Sequence, residues 1–438
     1  MDSRTATARR IAIIGAGSAY MPSVIRGLIS RASTLGGSEL VFHDTHQEHV
    51  ELLATLARAM FSAAEVDYSV VVEPTLAGAI TDADFVFTTF RPGGLPARYL
   101  DETIPLRHCI LGQETIGPGG FFMAQRAIPV MLEIARVTQE RAASGAWIVN
   151  YTNPTNIVTD AVRRHGGFDR ILGICDQYVH DQKIWAQALG IDPQGLEVDW
   201  FGTNHCTWAT TIRSNGEDIS ARVRERLAML APTAMRDPYD APLAQLGADF
   251  GYLVNHYVRY YYTHDDIVAG LRERPTTRAQ DIMADLPRIY ADFKEQAGLS
   301  NPTPDSTRGG TDWGEFAIDT ICAIAGDEGT RLIVNVRNGD SIPELEPEAI
   351  VELPALVDAR GAHALPVGPL PHPARGLSQA VHEYEMLAAD AAARGDERVA
   401  LTALMAHPVI RSRRDAAAIL REGLSAHREF LPQFSVQP

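Results

Sequence analysis

Cysteine is scarce: the chain has 438 residues and four cysteines, Cys109, Cys175, Cys206 and Cys322. So few and so widely spaced thiols suggest no disulfide framework and fit a reducing compartment. Basic charge is also short, with 39 Lys and Arg against 55 Asp and Glu, a formal net charge of −16. That balance gives no general attraction for nucleic acid or for an anionic membrane surface. No apolar run approaches the roughly 20 residues that a membrane helix needs. Met1 to Arg10 lacks the apolar stretch of a signal peptide, so a cytoplasmic location is expected. What is abundant is a globular mixture, 45% hydrophobic and 21% charged residues, long enough for more than one structural unit.

The first 165 residues alternate strand and helix patterns. Short apolar runs at 10–14, 39–44, 84–89 and 146–150 read as strands. Apolar residues at helical spacing fill 21–30, 52–61 and 127–142 between them. This alternation predicts an α/β fold, a Rossmann-type doubly wound parallel sheet, over residues 1–165. Strands are also expected at 171–174, 196–201 and 331–336. Helices are expected from Leu227 towards Tyr262, over 277–296 and over 377–430. Residues 166–438 therefore read as a second, α+β and largely helical unit, packed on the first without a flexible linker.

The first strand runs into Gly15-Ala16-Gly17-Ser18. Dinucleotide binding needs a tight turn there, backbone close to the pyrophosphate, and a helix N-terminus facing the negative charge. Gly15 and Gly17 supply the first two, although Tyr20 stands where a third glycine would complete the fingerprint. Asp44 ends the next strand, placed for the ribose hydroxyls and favouring NAD over NADP. Cys175, His205 and Asn153 each follow a strand, where ligands bind in open α/β sheets. A thiolate and an imidazole could hold two positions of a divalent metal. By residue type alone, a buried structural cysteine and a hydrogen-bonded histidine explain the pair better.

Several segments taken together resemble glycoside hydrolase family 4. They are Gly15–Ser18, Phe90-Arg91-Pro92-Gly93-Gly94, Gly112-Gln113-Glu114-Thr115-Ile116-Gly117-Pro118-Gly119-Gly120, Thr152-Asn153-Pro154 and Gly173-Ile174-Cys175-Asp176. Gly202-Thr203-Asn204-His205, Tyr257-Val258-Arg259-Tyr260-Tyr261, Thr277-Arg278-Ala279, 334–338 and Ala406-His407-Pro408 continue the series in order. The resemblance implies a fold of the lactate/malate dehydrogenase type, with NAD bound at Gly15, Gly17, Ser18 and Asp44. It implies Mn²⁺, or another divalent metal, on Cys175 and His205. Asn153 would contact the sugar, Tyr257 would be the catalytic base, and Asp176 would be the acid for the leaving group. Arg98 and Arg278 would line the substrate and are candidates for a 6-phosphate. The expected partner is a small glycoside and the expected assembly a homodimer or homotetramer.

The implied chemistry joins a redox cofactor to hydrolysis. Hydride passes from sugar C3 to NAD⁺, the resulting ketone acidifies the C2 proton, and the metal stabilises the enediolate. Elimination releases the aglycone, water adds, and the hydride returns. That this family departs from the two-carboxylate rule for glycosidases is general knowledge of glycoside hydrolases. Segment 91–94 looks like the 6-phospho-β-glucosidase branch, whereas Asp176 resembles α-acting members. Asn156 stands where the family often has glycine and is expected to reshape the sugar pocket; Asp312 and Glu315 are also unusual there. Two other functions share the N-terminal reading: a lactate/malate-type dehydrogenase and a non-catalytic NAD-binding regulator.

Overall fold

The computed structural model describes residues 8–229, 241–305 and 313–434. The stretch from Arg308 to Asp312 and the side chain of Glu315 lie outside the described residues. One sheet of twelve strands runs through the molecule. Its first half holds β1 (Arg10–Ile14), β2 (Glu39–His43), β3 (Ser69–Val72), β4 (Phe85–Thr88), β5 (Trp147–Asn150) and β6 (Ile171–Gly173). These six are parallel and ordered β3-β2-β1-β4-β5-β6, the doubly wound order of dinucleotide-binding folds. The sixth parallel strand, β6, lies beyond residue 165.

Both faces of this half are covered, which is why its strands read as continuous apolar runs. In β1, Ile11 and Ile13 join one core with Met21, Val24, Phe42 and Phe87. Ala12 and Ile14 point the other way, into a core with Val86, Ile128 and Ile148. The strand order reverses between β1 and β4. The glycine loop after β1 and the Phe90–Pro92 segment after β4 therefore flank the crevice at the carboxyl ends of the strands.

The second half of the sheet is antiparallel. β7 (Leu196–Thr203), β8 (Cys206–Ser214), β9 (Glu217–Asp218), β10 (Thr330–Arg337), β11 (Ile350–Asp358) and β12 (Gly361–Ala364) continue the sheet beyond β6 in the order β10-β11-β7-β8-β9, with β12 on β11. β7 and β8 form a hairpin closed by Asn204-His205, with Thr203 opposite Cys206. The expected helix from Leu227 towards Tyr262 is broken. A helix at Ser220–Met229 and another at Ala241–Phe250 precede a turn at Gly251, where φ is 69°. A 3₁₀ turn, His256–Val258, then leads into a short helix, Arg259–Tyr262. The local cause is Asn255, whose side chain caps the turn by accepting from the Tyr257 amide at 2.9 Å. No described helix is long and apolar enough to cross a membrane.

Candidate active site

The glycine loop is shaped by close approach. Gly15 has φ 97°, and a Cβ there would stand 2.2 Å from the Thr89 carbonyl oxygen. A Cβ on Gly17 would stand 2.8 Å from the Asp44 carboxyl carbon. Asp44 accepts from the Gly17 amide at 2.9 Å and from the His46 amide at 2.8 Å. It thus ties the loop to the end of β2 as well as facing the crevice. The Ser18 hydroxyl accepts from the Tyr20 amide at 3.3 Å, and the helix Met21–Ser30 follows, with Pro22 in its first turn. The sequence reading missed a contact from the far half of the chain: the Tyr290 hydroxyl donates to the Gly17 carbonyl at 2.7 Å. Tyr290 also stacks on His49, with ring centroids 3.9 Å apart.

Cys175 and His205 meet. Cys175 follows β6 and His205 stands in the β7–β8 turn, yet the Cys175 Sγ lies 3.4 Å from His205 Nε2 and both side chains are buried. His205 holds φ 64°, a left-handed conformation costing about 1 kcal/mol in a residue with a Cβ. The pairing of β7 with β8 on either side imposes it. Burial pushes the His205 imidazole down to about 4, so the ring is neutral at neutral pH and one of its two nitrogens carries a lone pair. Burial pushes the Cys175 thiol well up, and Glu352 and Asp176 add to this; a hydrogen bond from the Asn204 side chain opposes them. A thiol and a neutral imidazole at this separation suit a divalent cation, whose charge would offset the burial of the thiolate. Among the described residues no third His, Cys, Asp or Glu completes a ligand set. Remaining positions would fall to substrate or water oxygens, as an open catalytic site requires.

Tyr257 and Asp176 adjoin this pair. The Tyr257 ring stacks on His205, centroids 4.0 Å apart and 11° from parallel. Burial first, and then the neighbouring Tyr260, raise its phenol well above the ordinary value. Its loop is held by Asn255 and by the buried Asp181, which accepts from the His256 amide at 3.1 Å. Asp176 is pushed up to about 6 by burial, against a hydrogen bond from Tyr151. The Asn153 Oδ1 is buried with no hydrogen-bond partner among the described residues, a free acceptor at the carboxyl end of β5.

Arg98 is buried and doubly engaged. Its Nε donates to Glu102 at 2.7 Å and its other face pairs with Glu114 at 2.8 Å; Arg91 pairs with the same Glu114. Glu102 also accepts from the Ala279 amide at 2.9 Å, which places Arg278 beside this network. Arg278 is exposed and has no ion pair among the described residues. Glu114 was missed as a residue, though its segment was singled out. It acts electrostatically on Asp176, His205 and Tyr257. The expectation for Asn156 is corrected. It lies in the helix Thr155–Gly166, 3% exposed, and donates to the Ile350 carbonyl and to Glu385 at 2.8 and 2.7 Å. Its amide nitrogen is thus engaged by buried partners on β11 and on the helix His372–Arg394.

Comparison with known proteins decides the family. The model of family 4 glycosyl hydrolases matches residues 10–191, and that of the family's C-terminal domain matches residues 200–410. The chain belongs to glycosyl hydrolase family 4. A probable 6-phospho-beta-glucosidase of Bacillus subtilis is 33% identical over 97% of this chain and 98% of its own. The 6-phospho-beta-glucosidase of Thermotoga maritima, solved with NAD and glucose-6-phosphate, superposes with a TM-score of 0.86 at 29% identity, covering 97% of this chain and 99% of that one. A 6-phospho-alpha-glucosidase from gut microorganisms, solved with NAD and Mn²⁺, gives 0.87 at 28% identity, covering 98% and 100%. Malate dehydrogenase of Plasmodium falciparum gives 0.55 at 13% identity, covering 87% of this chain and 99% of that one. That last likeness bears on the fold alone, and it agrees with the dehydrogenase-type architecture of this family 4 chain.

Proposed function

We propose that this family 4 enzyme hydrolyses the O-glycosidic bond of 6-phosphorylated glucosides, with NAD and a divalent metal, Mn²⁺ first, as its cofactors. The observation that carries the proposal is the buried Cys175–His205 pair under the Tyr257 ring, at the same sheet edge as the glycine loop. When bound, the two cofactors would supply hydride acceptance from C3 and Lewis-acid stabilisation of the adjacent oxygens. Gly15, Gly17 and Ser18 offer backbone to the dinucleotide, and Asp44 lies beside them for the ribose. Cys175 and His205 would hold the metal. Tyr257, within reach of that charge, takes the C2 proton as general base. Asp176, kept protonated higher into the pH range than an exposed acid, gives a proton to the departing glycosidic oxygen. Asn153 Oδ1 accepts from a sugar hydroxyl.

Phosphate recognition falls to the Arg91, Arg98 and Arg278 edge. Arg91 and Arg98 are balanced by Glu114 and Glu102, so the excess positive charge there is Arg278. Kinetics with nitrophenyl glucosides, with and without a 6-phosphate, test this. The expected result is a kcat/KM about 10- to 100-fold higher for the phosphorylated substrate, largely lost in Arg278→Ala, the scale of one charge-assisted hydrogen bond. Equal rates on both substrates would exclude the phosphorylated class. We further infer a cytoplasmic enzyme that assembles as a homodimer or homotetramer, in keeping with a phosphorylated substrate and unpaired cysteines.

A further inference from the structure

The sheet carries a polar row that nothing in the chemistry above uses. β6 meets β10 at one residue pair, Gly173 with Asn335. β10 meets β11 with Asn335 opposite Glu352. β11 meets β7 at one pair, Glu352 with Gly202. Gly173, Asn335, Glu352 and Gly202 therefore form one continuous row across four strands. Its two ends lie two residues before Cys175 and three before His205. Both ends must be glycine. A Cβ on Gly173 would stand 2.6 Å from Thr155 Cγ2 and 2.8 Å from Asn335 Cβ. Gly202 has φ 138°, and a Cβ there would stand 2.3 Å from the Cys206 carbonyl oxygen.

The interior of the row is fully buried and polar, Asn335 at 0% and Glu352 at 1% exposure. A carboxylate in the middle of a sheet is costly unless it is bonded. Glu352 Oε1 accepts from the Asn335 side chain at 3.3 Å and from Asn204 Nδ2 at 2.9 Å. Asn335 Nδ2 also approaches the Gly173 carbonyl at 3.4 Å. Asn204 immediately precedes His205 in the turn that joins β7 to β8. Glu352 thus fixes which way the Asn204 amide faces and anchors the turn that carries His205. Without an acceptor at Glu352 the amide is free to rotate, and the turn beside His205 loses its anchor.

We propose that Glu352 is a positioning residue for the metal pair, acting through Asn204 to hold the turn that carries His205 and so the separation of His205 from Cys175. The inference rests on the assignment of Cys175 and His205 as metal ligands. Outer partners of this kind govern metal affinity by about 10- to 100-fold.

The test is titration of the full-length protein with Co²⁺ and Mn²⁺, reading the sulfur-to-cobalt charge-transfer absorption and the dissociation constants. NAD affinity and the thermal midpoint are measured in parallel. Glu352→Leu and Asn204→Ala are each expected to weaken metal binding about 10- to 100-fold. The double variant is expected to lose no more than the worse single one, because both act on one bond path. Glu352→Gln keeps an acceptor oxygen and the side-chain shape, so it is expected to bind metal within a few-fold of the parent, with the charge-transfer band intact. NAD affinity should stay unchanged in all of them. Superimposable metal titrations in the parent, Glu352→Leu and Asn204→Ala would overturn the proposal. So would additive losses, a Glu352→Gln protein as weak as Glu352→Leu, or equal losses of NAD and metal. A parent protein with no thiolate band, or a Cys175→Ser protein that titrates like the parent, would instead remove the metal site itself.

Discussion

Replacing Cys175 by serine is expected to lower metal-dependent turnover about 100-fold while leaving NAD binding intact. A serine hydroxyl is close in size to the thiol but is not ionised at neutral pH, so the cation loses its anionic ligand. Lewis-acid stabilisation of developing oxygen charge is worth several kcal/mol. Losing about 3 kcal/mol of it lowers kcat about 100-fold. The substitution sits in a buried pocket against His205, but it removes no large apolar volume, so the thermal midpoint should move little. Steady-state kinetics over a Mn²⁺ titration and fluorescence titration with NAD⁺ check both halves of this expectation. Metal-independent activity at the parent level in Cys175→Ser would take Cys175 out of the site.

Tyr257→Phe carries the second large effect. The ring that stacks on His205 at 4.0 Å is retained, and so is the packing against Tyr260 at 5.6 Å. Only the hydroxyl goes, and with it the base for the C2 proton. General base catalysis contributes about 10²- to 10⁴-fold, so kcat should fall by that factor with metal and NAD affinity held. The raised phenol makes a distinction testable. Burial alone would keep Tyr257 protonated, so its action as a base needs the adjacent cation. Exchange of the substrate C2 hydrogen with solvent should therefore vanish equally in Tyr257→Phe and in metal-free parent protein. Exchange that persists in Tyr257→Phe would assign the base elsewhere, and Glu114 would be the next group to test.

The parallel half of the fold was readable because its strands are plain apolar runs punctuated by glycine. Gly15 and Gly17 announced the turn, and Asp44 fell where the register of β2 puts it. The antiparallel half was less readable for physical reasons. β8 mixes apolar residues with three threonines without regular alternation and begins directly after a two-residue turn whose left-handed residue is His205, not glycine. β11 holds Glu352 and Pro354 inside a central strand, two residues that argue against such a strand by local preference. Tertiary pairing with β10 overrides that preference, and Glu352 is where the departure coincides with the candidate site.

The site divided in the same way. Cys175, His205, Asn153 and Asp176 each follow a strand end, a position that sequence periodicity exposes. The meeting of Cys175 with His205 depends on β6 and β7 being separated in the sheet by β10 and β11, which no local pattern states. Tyr257 lies in an aromatic run, which by residue type more often marks helix packing, and Asn255 breaks the helix there. Arg98 stood as a candidate for a 6-phosphate, and its acidic partners reach it in different ways. Glu102 is one turn away on its own helix, but Glu114 reaches it through a loop. Asn156 misled because a helix start in a doubly wound sheet can face either the crevice or buried partners, and here its amide nitrogen is engaged by the buried Glu385.

The central claim is that a dinucleotide loop of oxidoreductase type serves a hydrolase, the hydride leaving C3 and returning within one turnover. The most direct measurement is a single reaction in D₂O with NAD⁺, Mn²⁺ and a 6-phosphorylated nitrophenyl glucoside. Product is examined by NMR while absorbance follows reduced cofactor. The account predicts deuterium at C2 of the released sugar, hydrogen retained at C3, and no net accumulation of NADH as product forms. Product formation matched by an equal amount of NADH, with no deuterium at C2, would contradict it and make the chain a dehydrogenase.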